Sequence, residues 1–288
     1  MSAPSPRAEA HVVPARALGD GILSLTLAAN LQRTGHAVTI HHDALRELAA
    51  FVPDVRIQPL YAAGPWRQAE GPVFVGDPAF LDGLPPPPHA YVFRKDDWQR
   101  DRHVLENFAA GARRHWGLTA WNDDPGLQLS PALPEERSKH VYLHPVSARE
   151  NKNWPTMRFI ELARALEARG YEPAYLLAET DADAWEGLGH PVVVPGKLDA
   201  VAETLRTAAG AIVTDSGIGH LAAAVGTPTL SLFRKKSAAT FWRPAGAHVA
   251  VVTAPLRLPG RTGHRHWGLL LRPKHVLRAF EALLAEAV

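Results

Sequence analysis

Thr214-Asp215-Ser216-Gly217 is the stretch of this 288-residue chain whose residue types and spacing most directly suggest chemistry. A β-branched run, Ala211–Thr214, leads into it. Leu221–Val225 leads out as an apolar helix body, stopped by Gly226 before Pro228 and a second strand, Thr229–Phe233. Ser216 stands where a helix N-cap belongs, and Gly217 and Gly219 clear side chains from the first free N–H groups. Bare N–H groups and the helix dipole both favour negative charge, so the stretch suits the holding of a phosphate; an ordinary helix cap in a parallel sheet reads the same way. His220 lies close enough to face such an anion, or to pack inside the helix. Asp215, Ser216 and His220 do not make a hydrolase, because residues this close on one turn cannot form a relay with a separate oxyanion site.

A second candidate is Asp20. After a weak strand at Val12–Pro14, the Gly19-Asp20-Gly21 sequence predicts a tight turn holding the carboxylate at the strand's C-terminal end; a cap for the helix Ile22–Arg33 is the plainer alternative. Glu179, just past the strand Ala174–Ala178, is placed to accept from ribose hydroxyls, or is a surface carboxylate. Arg94, Lys95, Arg100, Arg102, Arg113 and Arg114 form a run of cations diluted by Asp96, Asp97 and Asp101, which reads either as a binding surface or as a solvated helix face. No D-x-D motif or clustered ligand set accompanies Asp215, so no metal is expected.

The elements that must position these residues alternate. Val12–Pro14, Val38–His41, Val55–Leu60, Val73–Gly76 and Tyr91–Phe93 are short apolar runs separated by helical or turn-rich stretches, with Asp43 as the cap of ALRELAAF. A four-proline run, Pro85–Pro88, predicts a stiff surface crossover. Asn122–Arg137 lacks periodicity, and the domain boundary is placed there, giving domains of residues 1–134 and 135–288. The alternation restarts with Val141–His144, a helix capped by Thr156, the strand Ala174–Ala178, a short helix Asp181–Leu188, Val192–Val194, and a helix Leu198–Ala208; Pro273 opens a closing helix, Lys274–Glu286. The expected fold class is α/β: two Rossmann-like domains facing across a cleft, each with ligands at strand C-terminal ends.

Composition narrows the function classes. The absence of cysteine excludes disulfides, thiolate zinc sites and thiol catalysis, and agrees with a cytoplasmic setting. The opening MSAPSPRAEAH lacks an apolar core, so it reads as a disordered lead rather than a signal peptide. No run approaches a membrane span, and a net charge of +2 gives no reason to expect nucleic acid.

Three separated pieces resemble glycosyltransferase family 9, which includes the ADP-heptose–lipopolysaccharide heptosyltransferases. Arg16-Ala17-Leu18-Gly19-Asp20 resembles the family's R-x-x-x-G-D turn. His144-Pro145 with Lys152-Asn153-Trp154-Pro155 and Phe159 resembles its H-P-G…K-x-W-P…F segment. Thr214-Asp215-Ser216-Gly217 with His220-Leu221-Ala222-Ala223-Ala224 and Gly226-Thr227-Pro228-Thr229 resembles its donor signature nearly position for position. The resemblance implies a GT-B fold and inverting transfer from an ADP-sugar, without metal or other cofactor. It also implies an anionic lipid-linked saccharide acceptor, in a Gram-negative cytoplasm with peripheral contact at the inner membrane.

By the same resemblance Asp20 is the general base, Lys152 contacts donor phosphate, and the Asp215-Ser216-Gly217 turn holds the diphosphate. The first domain, with Arg94, Lys95, Arg113 and Arg114, meets the acceptor. Two departures stand out. Val146 replaces the glycine of H-P-G, and Arg234-Lys235-Lys236 replaces a G-x-T-x-P turn, adding cations beside the phosphate site. A nucleotide-sugar 2-epimerase of the same fold and an inactive sugar-nucleotide binding module are the alternatives.

Overall fold

The computed structural model describes residues 8–60, 64–129, 137–254 and 267–287. Most of the N-terminal lead and residues 130–136 of the expected boundary stretch lie outside them. The chain forms two compact units, Met1–Gln128 and Leu129–Val288, where sequence had put the division at 134/135.

The first unit is a five-stranded parallel sheet. Its strands are β1 (Ala10–Val13), β2 (Val38–His41), β3 (Val55–Gln58), β4 (Val73–Val75) and β5 (Ala90–Val92), in the order β3-β2-β1-β4-β5. Helix α1 (Leu18–Arg33) follows β1, and α2 (Val104–Trp116) follows β5. The chain reverses its direction of travel across the sheet between β1 and β4, so the crevice that doubly wound sheets use for ligands lies beyond the C-terminal ends of those two strands.

Helix α1 begins four residues before the expected start and absorbs Gly19-Asp20-Gly21, so these residues form no turn. Ala17 is its N-cap with no side-chain hydrogen bond, and the Gly21 N–H donates to the Ala17 carbonyl at 3.1 Å. Gly21 is a glycine because a Cβ there would sit 3.0 Å from the His42 ring. Asp43 likewise leaves the Ala44–Phe51 segment, a 3-10 helix, without a side-chain cap; its Oδ1 accepts from Leu60 N–H at 3.2 Å instead.

The second unit repeats the plan with six parallel strands: β6 (His140–His144), β7 (Glu172–Leu176), β8 (Val192–Val193), β9 (Gly210–Thr214), β10 (Thr229–Phe233) and β11 (Val249–Thr253). Their order, β11-β10-β9-β6-β7-β8, places the switch point between β6 and β9. Helices α3 (Thr156–Glu167), α4 (Glu179–Ala182), α5 (Leu198–Arg206), α6 (Gly217–Ala224), α7 (Lys236–Trp242) and α8 (Pro273–Glu286) complete it. Thr156 lies inside α3, whose N-cap is Pro155. Strand β11 and helix α7 go beyond the sequence expectation.

The core of this unit gathers Val141 and Leu143 of β6, Phe159, Leu162 and Leu166 of α3, and Val276 and Phe280 of α8, all fully buried. Alternate positions of β6 thus face the helices, as a pleated strand requires. Gly210 lets α8 close on the sheet, since a Cβ there would lie 2.7 Å from the Phe280 ring.

Three buried histidines crowd the first sheet. His11 Nδ1 and His41 Nε2 lie 3.1 Å apart on neighbouring strands, and His42 accepts from Leu45 N–H at Nδ1. His42 Nε2 lies 3.3 Å from the Ala17 carbonyl, which makes Nε2 its protonated nitrogen. Burial lowers the pKa of all three, and His41, also facing His11, is pushed down to about 4.

A folded-state value below the unfolded 6.5 means that the folded protein resists protonation. Stability is therefore complete above about pH 6.5 and is lost as pH falls toward 4. The expected outcome is a melting midpoint that drops steeply across that window and a shallower drop in His41→Gln. Parallel profiles for the two proteins, followed by circular dichroism, would show that the histidines do not set it.

Candidate functional site

Register explains the site in the second unit. Strands β6 and β9 pair in parallel, with His144 opposite Val213, so the loops leaving their C-terminal ends emerge side by side. The β6 loop carries Lys152 in a single 3-10 turn, Glu150–Lys152, and the β9 loop carries Asp215. Lys152 Nζ meets Asp215 Oδ2 at 2.9 Å, and the Asp215 side chain is only 13% exposed.

Buried contacts hold these two loops. The Thr214 hydroxyl, expected to touch the ligand, instead donates to the Val146 carbonyl at 3.0 Å and so ties one loop to the other. Val146 keeps its side chain against the core cluster, so the lost glycine of the H-P-G pattern becomes a packing residue. His144 is buried; its Nδ1 lies 2.8 Å from the Leu176 carbonyl, and burial lowers its pKa, which keeps it a neutral donor to that carbonyl.

Trp154, 2% exposed, closes the β6 loop by donating from Nε1 to the Gly268 and Leu271 carbonyls. Gly268 must be glycine there, because a Cβ would stand 2.3 Å from Pro155 Cδ. Sequence reading missed Gly268; its signal lies in a partner more than a hundred residues away in the chain.

The N-terminus of α6 opens beside this pair. Ser216 is its N-cap in extended backbone, but the side chain makes no capping bond, and its buried Oγ has no hydrogen-bond partner among the described residues. The Gly219 N–H donates to the Ser216 carbonyl at 3.2 Å, so among the described residues the N–H groups of Gly217 and Ile218 are the ones left to an incoming acceptor atom. Gly219 serves packing more than anion approach: a Cβ there would lie 2.8 Å from Val213 Cγ2. His220 is buried at the fourth helical position.

Arg234 leaves β10, the strand next to β9, and donates from Nη1 to the Asn151 carbonyl at 3.4 Å; Lys235 follows as the N-cap residue of α7. Glu179 is the exposed first residue of α4, beyond the C-terminal end of β7. Lys152, Asp215, the α6 N-terminus and Arg234 therefore converge, with Glu179 on the same edge of the sheet. The arrangement can hold a phosphate-bearing ligand, with polar groups left over for what the phosphate carries. Among the described residues no group of three His, Asp or Glu is placed to hold a metal ion.

In the first unit Asp20 is half-buried at the third position of α1, just beyond the C-terminal end of β1 at the switch point. The helix dipole favours a negative charge there. Arg16 is held over the Phe80 ring, 5.4 Å from its centroid, on the neighbouring loop after β4.

The run of cations does not converge. Arg94 and Lys95 follow β5 at its C-terminal end, near the first turn of α2, where Asn107 accepts from Gln99 N–H. Arg113 and Arg114 sit in the last turn, and Trp116 there donates to the His89 carbonyl at the opposite end of β5. At a rise of about 1.5 Å per residue, that parts the two pairs by roughly 14 Å along α2. No ion pair among the described residues joins Arg94, Lys95, Arg113 or Arg114 to Asp96, Asp97, Asp101 or Glu106; Asp97 and Glu106 accept from backbone N–H groups instead.

Comparison with known proteins supplies a frame for this geometry. The profile of glycosyltransferase family 9 (heptosyltransferase) matches residues 91–259. Lipopolysaccharide heptosyltransferase 1 of Pseudomonas aeruginosa is 36% identical over 99 residues, a match spanning 32% of this chain and 28% of that protein. Among solved structures, E. coli ADP-heptose lps heptosyltransferase II superposes with a TM-score of 0.72 at 20% identity, covering 96% of this chain and 99% of that one. The E. coli heptosyltransferase WaaC with ADP gives 0.71 at 17% identity, with 96% and 99% covered. These likenesses establish the fold as the α/β GT-B type, built from two Rossmann-like units.

The Lys152–Asp215 pair makes a specific prediction. Asp215 already matches the charge of Lys152, so Asp215→Asn should tighten binding of inorganic pyrophosphate several-fold, whereas Lys152→Ala should weaken it about tenfold or more, the scale of a charged hydrogen bond. Titration calorimetry on both variants decides it. Weakening by both substitutions would mean that Asp215 serves the anion site in another way.

Proposed function

The chain belongs to glycosyltransferase family 9, and on that premise we propose that it is an inverting, metal-independent glycosyltransferase. It moves a heptose or related sugar from an ADP-sugar to a lipopolysaccharide core acceptor. The observation that carries this reading is the ion pair of Lys152 and Asp215 beside the open N-terminus of α6, at the switch point of the second sheet. An ADP leaving group gains negative charge as its bond to the sugar breaks. Without metal, that charge falls to the N–H groups of Gly217 and Ile218, to Lys152, and to Arg234 and Lys235. Glu179 accepts from the ribose hydroxyls, and His220 and Thr214 shape the pocket from within the fold.

Inversion needs a base on the face of the sugar opposite the leaving group. Asp20 takes the proton from the acceptor hydroxyl as that oxygen attacks C1. Arg94 and Lys95, on the same edge of the first sheet as Asp20, meet the anionic lipid-linked acceptor; Arg113 and Arg114 lie too far along α2 to join them. The protein acts on the cytoplasmic side of the inner membrane, with peripheral contact through its acceptor. No described helix is long and apolar enough to cross a membrane.

The reading is tested by release of ADP from ADP-heptose, which should require acceptor; acceptor-independent release would sink it. Asp20→Asn should lower turnover roughly 100-fold or more while donor affinity holds, the usual scale for removing a general base. Near-normal turnover in that variant would remove Asp20 from the chemistry.

Metal independence has its own check. Activity should persist in EDTA, and a loss that magnesium or manganese restores would overturn that part of the proposal.

A further inference from the structure

We propose that Arg16 is a specificity residue of the first unit: its guanidinium binds an anionic group, carboxylate or phosphate, that the acceptor carries beside its reacting hydroxyl. The inference rests on the family reading and deepens it. Strands β1 and β4 pair in parallel with Val13 opposite Val75, so the loops that follow them leave the switch point side by side. The Gly76 N–H donates to the Val13 carbonyl at 2.8 Å, and a Cβ on Gly76 would lie 2.9 Å from Ala15 N. Only glycine lets the two loops run this close.

The second of these loops is a built shelf for the first. Phe80, in the turn Pro78–Leu81, is 5% exposed and belongs to a core cluster with Val13, Trp66 and Val75. Its carbonyl accepts from Arg67 Nη2 at 2.6 Å, and Asp77 Oδ1 accepts from the Ala79 N–H at 3.0 Å, so the turn is fixed at both ends. Arg16 is an exposed residue, and its guanidinium carbon lies over the Phe80 ring. A guanidinium held on an aromatic face has already lost part of its rotamer freedom, so less is lost when it takes a ligand.

The positive charge is held in place and not matched: Arg16 forms no ion pair among the described residues. Asp20 stands four residues further on, at the third position of α1, so a cation and a base bracket the start of one helix. Asp20 takes the proton from the acceptor hydroxyl, and Arg16 holds a group on the same sugar or the adjoining one. A carboxylate or a phosphate suits it, because the guanidinium fork pairs with two oxygens at once. A neutral sugar offers it no counter-charge. Arg16 thus selects the acceptor and leaves the chemistry to Asp20.

The test titrates the full chain, saturated with ADP, with heptose-free lipopolysaccharide stripped of its acyl chains, followed by calorimetry. Three forms of it are compared: intact, carboxyl-reduced and dephosphorylated. Arg16→Gln should weaken binding of the intact form about tenfold, the scale of one charged hydrogen bond, with melting temperature and ADP affinity unmoved. Arg16→Lys, which keeps the charge but not the fork, should lose less. The gap between wild type and Arg16→Gln should close for one modified form, which names the group as carboxylate or phosphate. The proposal fails if Arg16→Gln binds the intact form as tightly as the wild type, or if the gap persists for both modified forms. It fails too if the loss follows a fall in melting temperature, as a mere cover for Phe80 would give. A wild type that binds none of the forms overturns the acceptor of the family reading as well, whereas tight binding indifferent to position 16 overturns this inference alone.

Discussion

The parallel pairing of β6 with β9 is the constraint on which the rest of the second unit depends. With His144 opposite Val213, two loops far apart in the chain leave the sheet at the same place. The Thr214 hydroxyl then fixes their spacing through the Val146 carbonyl. The pair and the helix end assigned to phosphate chemistry stand on that junction: Lys152 on one loop, Asp215 and the α6 N-terminus on the other. A slip of one residue would turn Thr214 away from Val146 and expose alternate side chains of β6 that now lie in the core.

Within the junction, the electrostatics are less simple than a row of cations. Lys152 is matched by a largely buried Asp215 before any ligand arrives. An incoming diphosphate must draw the lysine away or rely on the α6 dipole and on Arg234 and Lys235, which form no ion pair among the described residues. Arg234 donates to the Asn151 carbonyl of the lysine loop, so the segment that departs from the family pattern also steadies the segment that keeps it. The departure is therefore built into the site rather than added at its margin.

The first unit shows a different division of labour. The sequence places Gly21 in a tight turn, yet in the fold it serves the close approach of His42, a buried and neutral imidazole braced against the Ala17 carbonyl. That contact lets α1 start early and carries Asp20 onto its first turn. The carboxylate still reaches the C-terminal edge of the sheet, because a helix that starts sooner after β1 keeps its first turn at the strand's end. A wrong local conformation thus led to the right edge.

By itself the sequence determined the alternation of short apolar runs with helices, and from it the α/β class, the parallel sheets and the placing of Asp20, Lys152 and Asp215 after strand ends. Those features are local: a strand, a glycine and a following helix lie within one short window. Only the tertiary structure decided what each polar residue bonds to. Thr214 bonds a carbonyl instead of a ligand, Ser216 leaves its helix uncapped, and Gly268 makes room for Trp154 and Pro155 from the far end of the chain. The cations at 94–95 and 113–114 are near in sequence but lie toward opposite ends of α2, because a helix converts sequence distance into length along its axis. Partners of this kind are set by register and packing between distant segments, and no window of sequence contains both sides of such a contact.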